Sequence, residues 1–245
     1  HSFSREGTYY IDISNPDLTA KNSATGKSNQ DVQNAYRAKH GNDTFWNPLY
    51  AMTYDATTLL LSAIEASSTK DGSGNLVIER AGVREYMSKV SGWSGFSGLL
   101  TCDEFGDCGS QRFEILQLNP DGDDTVVYEY SRNAPAAAPT PLSDKVILAP
   151  GEAIQIRSLH PITGGSDVRG ALVELMNRIV EMAIADYYGG AIHGHSVAVA
   201  HKDTATDPET AKTAAQAIVA EQNVVGVIGT FNSGTALFAS PVITA

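Results

Sequence analysis

The stretch GVIGTFNSGTALFAS at 226–240 puts a hydroxyl and a run of backbone amides directly after an apolar segment. A strand that ends at Gly229, followed by a helix opening at Asn232 and Ser233, leaves the first helical N–H groups without internal partners at the positive end of the helix dipole. That chemistry suits a carboxylate or a phosphate. The same residues would equally make an ordinary helix cap. In an open α/β sheet such a terminus lies at the carboxyl edge of the strands, where ligands bind.

Other clusters carry weaker chemistry. TGGSDVRG at 163–170 sets glycines between a strand and a helix but lacks the GxGxxG spacing, and no GxxxxGK[ST] occurs, so dinucleotide and phosphate-loop readings fail. His193 and His195 would share one face of an extended segment, with His201 further on. Without a carboxylate close by in sequence they read as solvent-facing loop histidines rather than a zinc site, and no metal or cofactor is expected. The serines of GWSGFSG at 92–98 fall outside the GxSxG register, so no hydrolase nucleophile is visible and the chain reads as a non-enzyme.

Cys102 and Cys108 end the segment CDEFGDC, whose acidic, glycine-containing turn suits a disulfide and an oxidising compartment; two free thiols are the alternative. A metal held there with Asp103 or Asp107 would lack a second ligand pair. In FWNPLYAMTY at 45–54 the aromatics fit core packing, while Tyr50, near a helix start, is placed to line a pocket.

These residues need elements to position them. After the Ala/Pro segment at 134–141 the chain alternates strand-like and helix-like stretches: 153–159, a helix over 168–187, 195–200, a helix over 208–222, 224–231, then the helix opening at Asn232. Such alternation predicts parallel strands with crossover helices. Leu172, Leu175, Ile179, Met182 and Ala183 recur at spacings of three and four, so one face of the first helix packs on the sheet. Asp207 before Pro208 is a cap followed by a first-turn proline. Before the Ala/Pro segment the pattern predicts a strand at 8–14, helices at 29–40, 48–66 (capped by Asn47 and Pro48) and 79–90, then strand-rich sequence to residue 130.

Bulk properties exclude whole classes. At 245 residues and 42% hydrophobic content the chain can bury a sizeable core, which argues against disorder. Its formal charge of -11 repels nucleic acid and anionic membrane surfaces. No apolar run approaches the roughly 18 to 20 residues of a membrane span.

The segments PGEAIQIRSLHPITGG, HSVAVAHKDTATDPETAKTAAQAIVAEQNVVGVIGTFNSGTA, NPLYAMTYDATTLLLSAI and FSGLLTCDEFGDCGSQRFEILQL resemble type I periplasmic binding proteins of the branched-chain amino-acid (Leu/Ile/Val) family. Their order is reversed, however. Residues 144–245 resemble the start of such a protein, 1–133 its end, and 134–143 a natural N-terminal tether now used as a linker. The resemblance implies a three-layer, Rossmann-like α/β lobe with a mostly parallel sheet, built from both parts as one domain, with most of the second lobe missing.

It also implies an exported, lipid-anchored solute receptor that serves an ABC permease, here circularly permuted, with weak binding or complementation by a second-lobe fragment. An engineered scaffold or sensor fragment that assembles with a second chain is the alternative, and an α/β enzyme without a recognisable motif is a further one. By position, Ser233 corresponds to the serine that receives a ligand's α-carboxylate, flanked by Asn232 and Thr235. Thr163 and Asp167 fall in the loop after the first strand, and Tyr50 falls near a late-helix contact. The unpaired sheet edge predicts self-association.

Overall fold

The computed structural model describes residues 9–12, 16–41, 49–103, 108–109, 112–119, 124–131, 145–164 and 167–243. The first part carries β1 (Tyr9–Asp12), α1 (Asn29–His40), α2 (Leu49–Ala66), β2 (Ser68–Lys70), β3 (Leu76–Glu79), α3 (Arg80–Ser88), β4 (Trp93–Gly95), β5 (Gly98–Cys102), β6 (Cys108–Gly109), β7 (Arg112–Leu118) and β8 (Asp124–Ser131). The second carries β9 (Lys145–Leu148), β10 (Ile154–His160), α4 (Asp167–Asp186), β11 (Ala191–Ile192), β12 (His195–Asp203), α5 (Pro208–Ala220), β13 (Val224–Gly229) and α6 (Ser233–Ile243).

The central sheet has the order β11-β12-β10-β13, with β10 parallel to both β12 and β13 and β11 folded back antiparallel. Strand β10 is buried on both faces, so that Arg157, Ser158 and His160 are enclosed along with Ile154, Ile156 and Leu159. Helices α2 and α4 cover one face, where Leu61, Ile64, Val180 and Ile184 pack with Ile154 and Ile156. Helix α5 covers the other, its Ala211 and Ala215 close to Leu159, with Ala239 of α6 alongside. The fold is therefore a three-layer α/β arrangement around a mostly parallel sheet.

Three antiparallel sheets accompany it, in the orders β1-β7-β8, β2-β3-β9 and β4-β5-β6. The pairing of β3 with β9 joins residues on either side of the Ala/Pro segment, and Leu76, Ile78, Val146 and Leu148 enter the same core as α2 and β10. Each fully buried aliphatic side chain there contributes roughly 1.5–3 kcal/mol. Polar ties also cross between the parts: Tyr54 donates to Asp186 at 2.9 Å, and Arg80 Nε to the Val224 carbonyl at 2.9 Å.

Element boundaries differ from expectation in instructive places. Strand β12 runs on to Asp203, so His195 and His201 are strand residues and not loop residues; His195 is buried with Nδ1 2.8 Å from the Glu152 carbonyl, and only His193, in the turn before it, is exposed. Short strands β2, β3 and β9 interrupt what reads as helix-flanking sequence. Cys102 and Cys108 pair across β5 and β6 as a disulfide. Asn47, Pro48 and the linker at 134–143 lie outside the described residues.

Candidate functional site

In the central sheet β10 lies between β12 and β13, and the chain leaves it by α4 on one face and reaches β13 by α5 on the other. The strand order thus reverses at β10, and in open α/β sheets it is the crevice beyond the carboxyl ends of the strands at such a point, here β10 and β13, that takes ligands. Two loops follow those strand ends, 161–164 after β10 and 230–232 after β13.

Ser233, the first residue of α6, is exposed there, and its hydroxyl meets no partner among the described residues. Behind it the turn is closed by the Asn232 carbonyl, which accepts from the amides of Thr235 (3.1 Å) and Ala236 (3.0 Å) and from the hydroxyls of Thr235 (2.8 Å) and Thr230 (3.2 Å). That leaves the amides of Ser233 and Gly234 without a partner among the described residues. Asn232 does not cap through its side chain, since its Oδ1 is buried without a partner among the described residues.

The other residues singled out in the sequence divide sharply. Thr163 is exposed on the β10 loop, with its hydroxyl donated to Asp203 Oδ2 at 2.5 Å and its amide to Oδ1 at 3.1 Å. Asp167 opens α4, and its side chain lies outside the described residues. Thr235 is 2% exposed, and its hydroxyl is turned onto its own helix, which removes it from the crevice.

Tyr50 is likewise withdrawn: it is 1% exposed, donates its phenol proton to Asn29 Oδ1 and accepts from Gln33 Nε2 at 2.7 Å. It packs in the aromatic and aliphatic cluster of Tyr54, Phe96 and Leu175, against which Phe231 also rests. The pocket-lining expectation fails for Tyr50 because α1 covers it.

Two residues at the carboxyl ends of these strands were not singled out in the sequence. Asp203 ends β12 and accepts from Thr163 and from the Ala205 amide at 2.7 Å. Partial burial would raise its pKa, but these hydrogen bonds win and hold the carboxyl below the ordinary aspartate range. His160 ends β10, almost wholly buried, with Nδ1 2.7 Å from Asn177 Oδ1 and Nε2 without a partner among the described residues. Burial pushes its pKa down, against the Asn177 hydrogen bond, and favours the neutral ring.

A serine–histidine–carboxylate relay also exists, Ser158 Oγ to His201 Nδ1 at 2.6 Å and His201 Nε2 to Glu181 at 3.4 Å. Ser158 is fully buried in mid-strand, so no substrate carbonyl can reach it. The relay is part of the layer between β10, β12 and α4. An open groove of about 870 Å³ lies at the opposite, amino end of the sheet, lined by Arg80, Lys145, Glu152 and Gln155 among others. Its cations are already engaged, Arg80 by main-chain carbonyls and Lys145 by Glu79 at 2.7 Å.

With this geometry in hand, comparison with known proteins is informative for one part of the chain. Residues 154–245, from β10 through α6, match the periplasmic binding protein family. No curated protein and no solved structure matches the chain. The matched residues include both crevice loops, Asp203 and Ser233. Among the described residues no helix is long and apolar enough to cross a membrane, and no group of histidines, cysteines and carboxylates could hold a metal ion.

Proposed function

We propose that this chain binds a small anionic solute, an amino acid or related carboxylate, in the crevice between the β10 and β13 loops, as the receptor component of an ABC importer outside the cytoplasm. The observation that carries this reading is the exposed Ser233 hydroxyl at the start of α6, without a partner among the described residues, at the point where the strand order reverses. A carboxylate placed there would accept from that hydroxyl and from the amides of Ser233 and Gly234. The family match over 154–245 supports solute binding as the role, and the Cys102–Cys108 disulfide supports an oxidising compartment.

The reversed order of segments is read as a circular permutation of one binding-protein lobe. The β3–β9 pairing and the shared core of α2, α4 and β10 support a single domain built from 1–133 and 144–245. A single open face buries less of a ligand than two closing lobes would, so binding by this chain is weak, and a second-lobe fragment or a second copy would strengthen it. Calorimetry with a panel of aliphatic and polar amino acids, on the chain alone and with a second-lobe fragment added, tests the reading. Heat of binding competed by other amino acids is the expected result. No heat in either arrangement would remove the solute-binding role.

A further inference from the structure

The loop after β10 owes its shape to a residue that is distant in sequence. Thr163 is bound twice by the Asp203 carboxylate, through its amide at 3.1 Å and its hydroxyl at 2.5 Å, across 40 residues of chain. The same Oδ1 takes the Ala205 amide at 2.7 Å, so one carboxylate ties the loop after β10 to the loop after β12.

The two loops also interlock sterically. Gly164 has φ +78, and a Cβ there would press into the Ala205 carbonyl. Ala205 and Thr206 themselves adopt positive φ values of 49 and 59, a conformation that non-glycine residues hold only when their surroundings impose it. Within the loop the Ile162 amide donates to the His160 carbonyl at 3.0 Å, and the bonds of Thr163 run out to Asp203.

We propose that Asp203 is a positioning residue for the crevice: it holds Thr163 and its neighbours in the conformation that faces the solute, without touching the solute itself. The inference rests on the solute-binding reading. It adds that half of the crevice is preorganised by a carboxylate one strand away. Because the Thr163 hydroxyl proton is spent on Asp203, only the oxygen lone pairs of Thr163 remain for a solute, so this side of the crevice accepts N–H groups and the Ser233 side donates.

Amide hydrogen exchange by NMR on the full chain, with calorimetry on the same amino-acid panel, tests this. In the unaltered chain the Thr163 and Ala205 amides are expected to exchange slowly although Thr163 is exposed. In Asp203→Ala both amides should exchange freely, whereas Asp203→Asn keeps an Oδ1 acceptor for them and loses the bond from the Thr163 hydroxyl, so its amides should exchange at an intermediate rate; in both variants the rest of the β10–β12–β13 sheet should stay protected, and in Asp203→Ala affinity should fall about tenfold or more.

Rapid exchange of both amides in the unaltered chain overturns the tie, and this result does not depend on either variant folding. Freed amides with unchanged affinity overturn the positioning role. A tie that behaves as expected in a chain that binds no amino acid, with or without a second-lobe fragment, overturns the solute-binding reading and the positioning role with it, leaving Asp203 as a loop brace.

Discussion

Two polar centres of the molecule invite comparison, the one around Asp55 and the one around Ser233. Asp55 is 1% exposed on α2 and accepts from Asn22 Nδ2 (3.0 Å), the Phe96 amide (2.9 Å), the Ser97 amide (2.7 Å) and the Ser97 hydroxyl (2.7 Å). Burial pushes its carboxyl upward while those four donors pull it down. Ser233 is exposed, and its hydroxyl is unspent among the described residues. The first centre is saturated from within and fixes how α2 meets the 95–97 turn; the second keeps donors in reserve, as a recognition surface must. Saturation separates a structural polar residue from a candidate binding residue better than residue type does.

Substitutions can break that contrast. Asp55→Ala leaves four donors without their acceptor, those of Asn22 and Phe96 in the interior and the two of Ser97 half-buried, and should cost roughly 3–5 kcal/mol, read as a lower urea midpoint at unchanged slope. Gly95→Ala attacks the same centre from outside, since its Cβ would lie 2.5 Å from the Asp55 carboxylate; a loss of about 1–3 kcal/mol in the same assay is expected.

Ser233→Ala should behave in the opposite way, with thermal stability unchanged and solute affinity reduced by about 1–3 kcal/mol in a titration. A drop in melting temperature without loss of binding would reverse the roles assigned to the two centres.

A smaller effect sharpens the comparison with an ion pair. Arg157 Nε lies 3.0 Å from Glu221, and its hydrogen bonds hold the Glu221 carboxyl below the ordinary glutamate range. A carboxyl whose pKa is lowered by folding stabilises the fold above its unfolded pKa and loses that contribution as pH falls through the folded value. Glu221→Gln should therefore lower the unfolding midpoint near neutral pH and converge with the unaltered chain in acid, in a series of melts from neutral to acid pH.

Sequence patterning made some of this legible and hid the rest for physical reasons. The helices announced themselves because Leu172, Leu175, Ile179 and Ala183 repeat at helical spacing and all bury. The Ser233 terminus was visible because strand, turn and helix start are contiguous. Strand β9 was not, since four residues beside a proline-rich stretch carry little period and its partner β3 lies some 70 residues earlier. Asp203 was invisible for the same reason, its role being set by a loop reached only through the fold. Tyr50 misled because position near a helix start says nothing about which neighbour covers it, and here α1 does.

The interleaving of the two chain segments also bears on biosynthesis. Leu61 and Ile64 of α2 are fully buried, but their neighbours Ile154 and Ile156 belong to a strand translated much later. While the ribosome works through the intervening stretch, α2 can meet Leu76, Ile78 and Val83 of its own half but not the β10 face it finally covers. Nascent chains in that window are the ones most in need of a holdase, and the most prone to stick to each other.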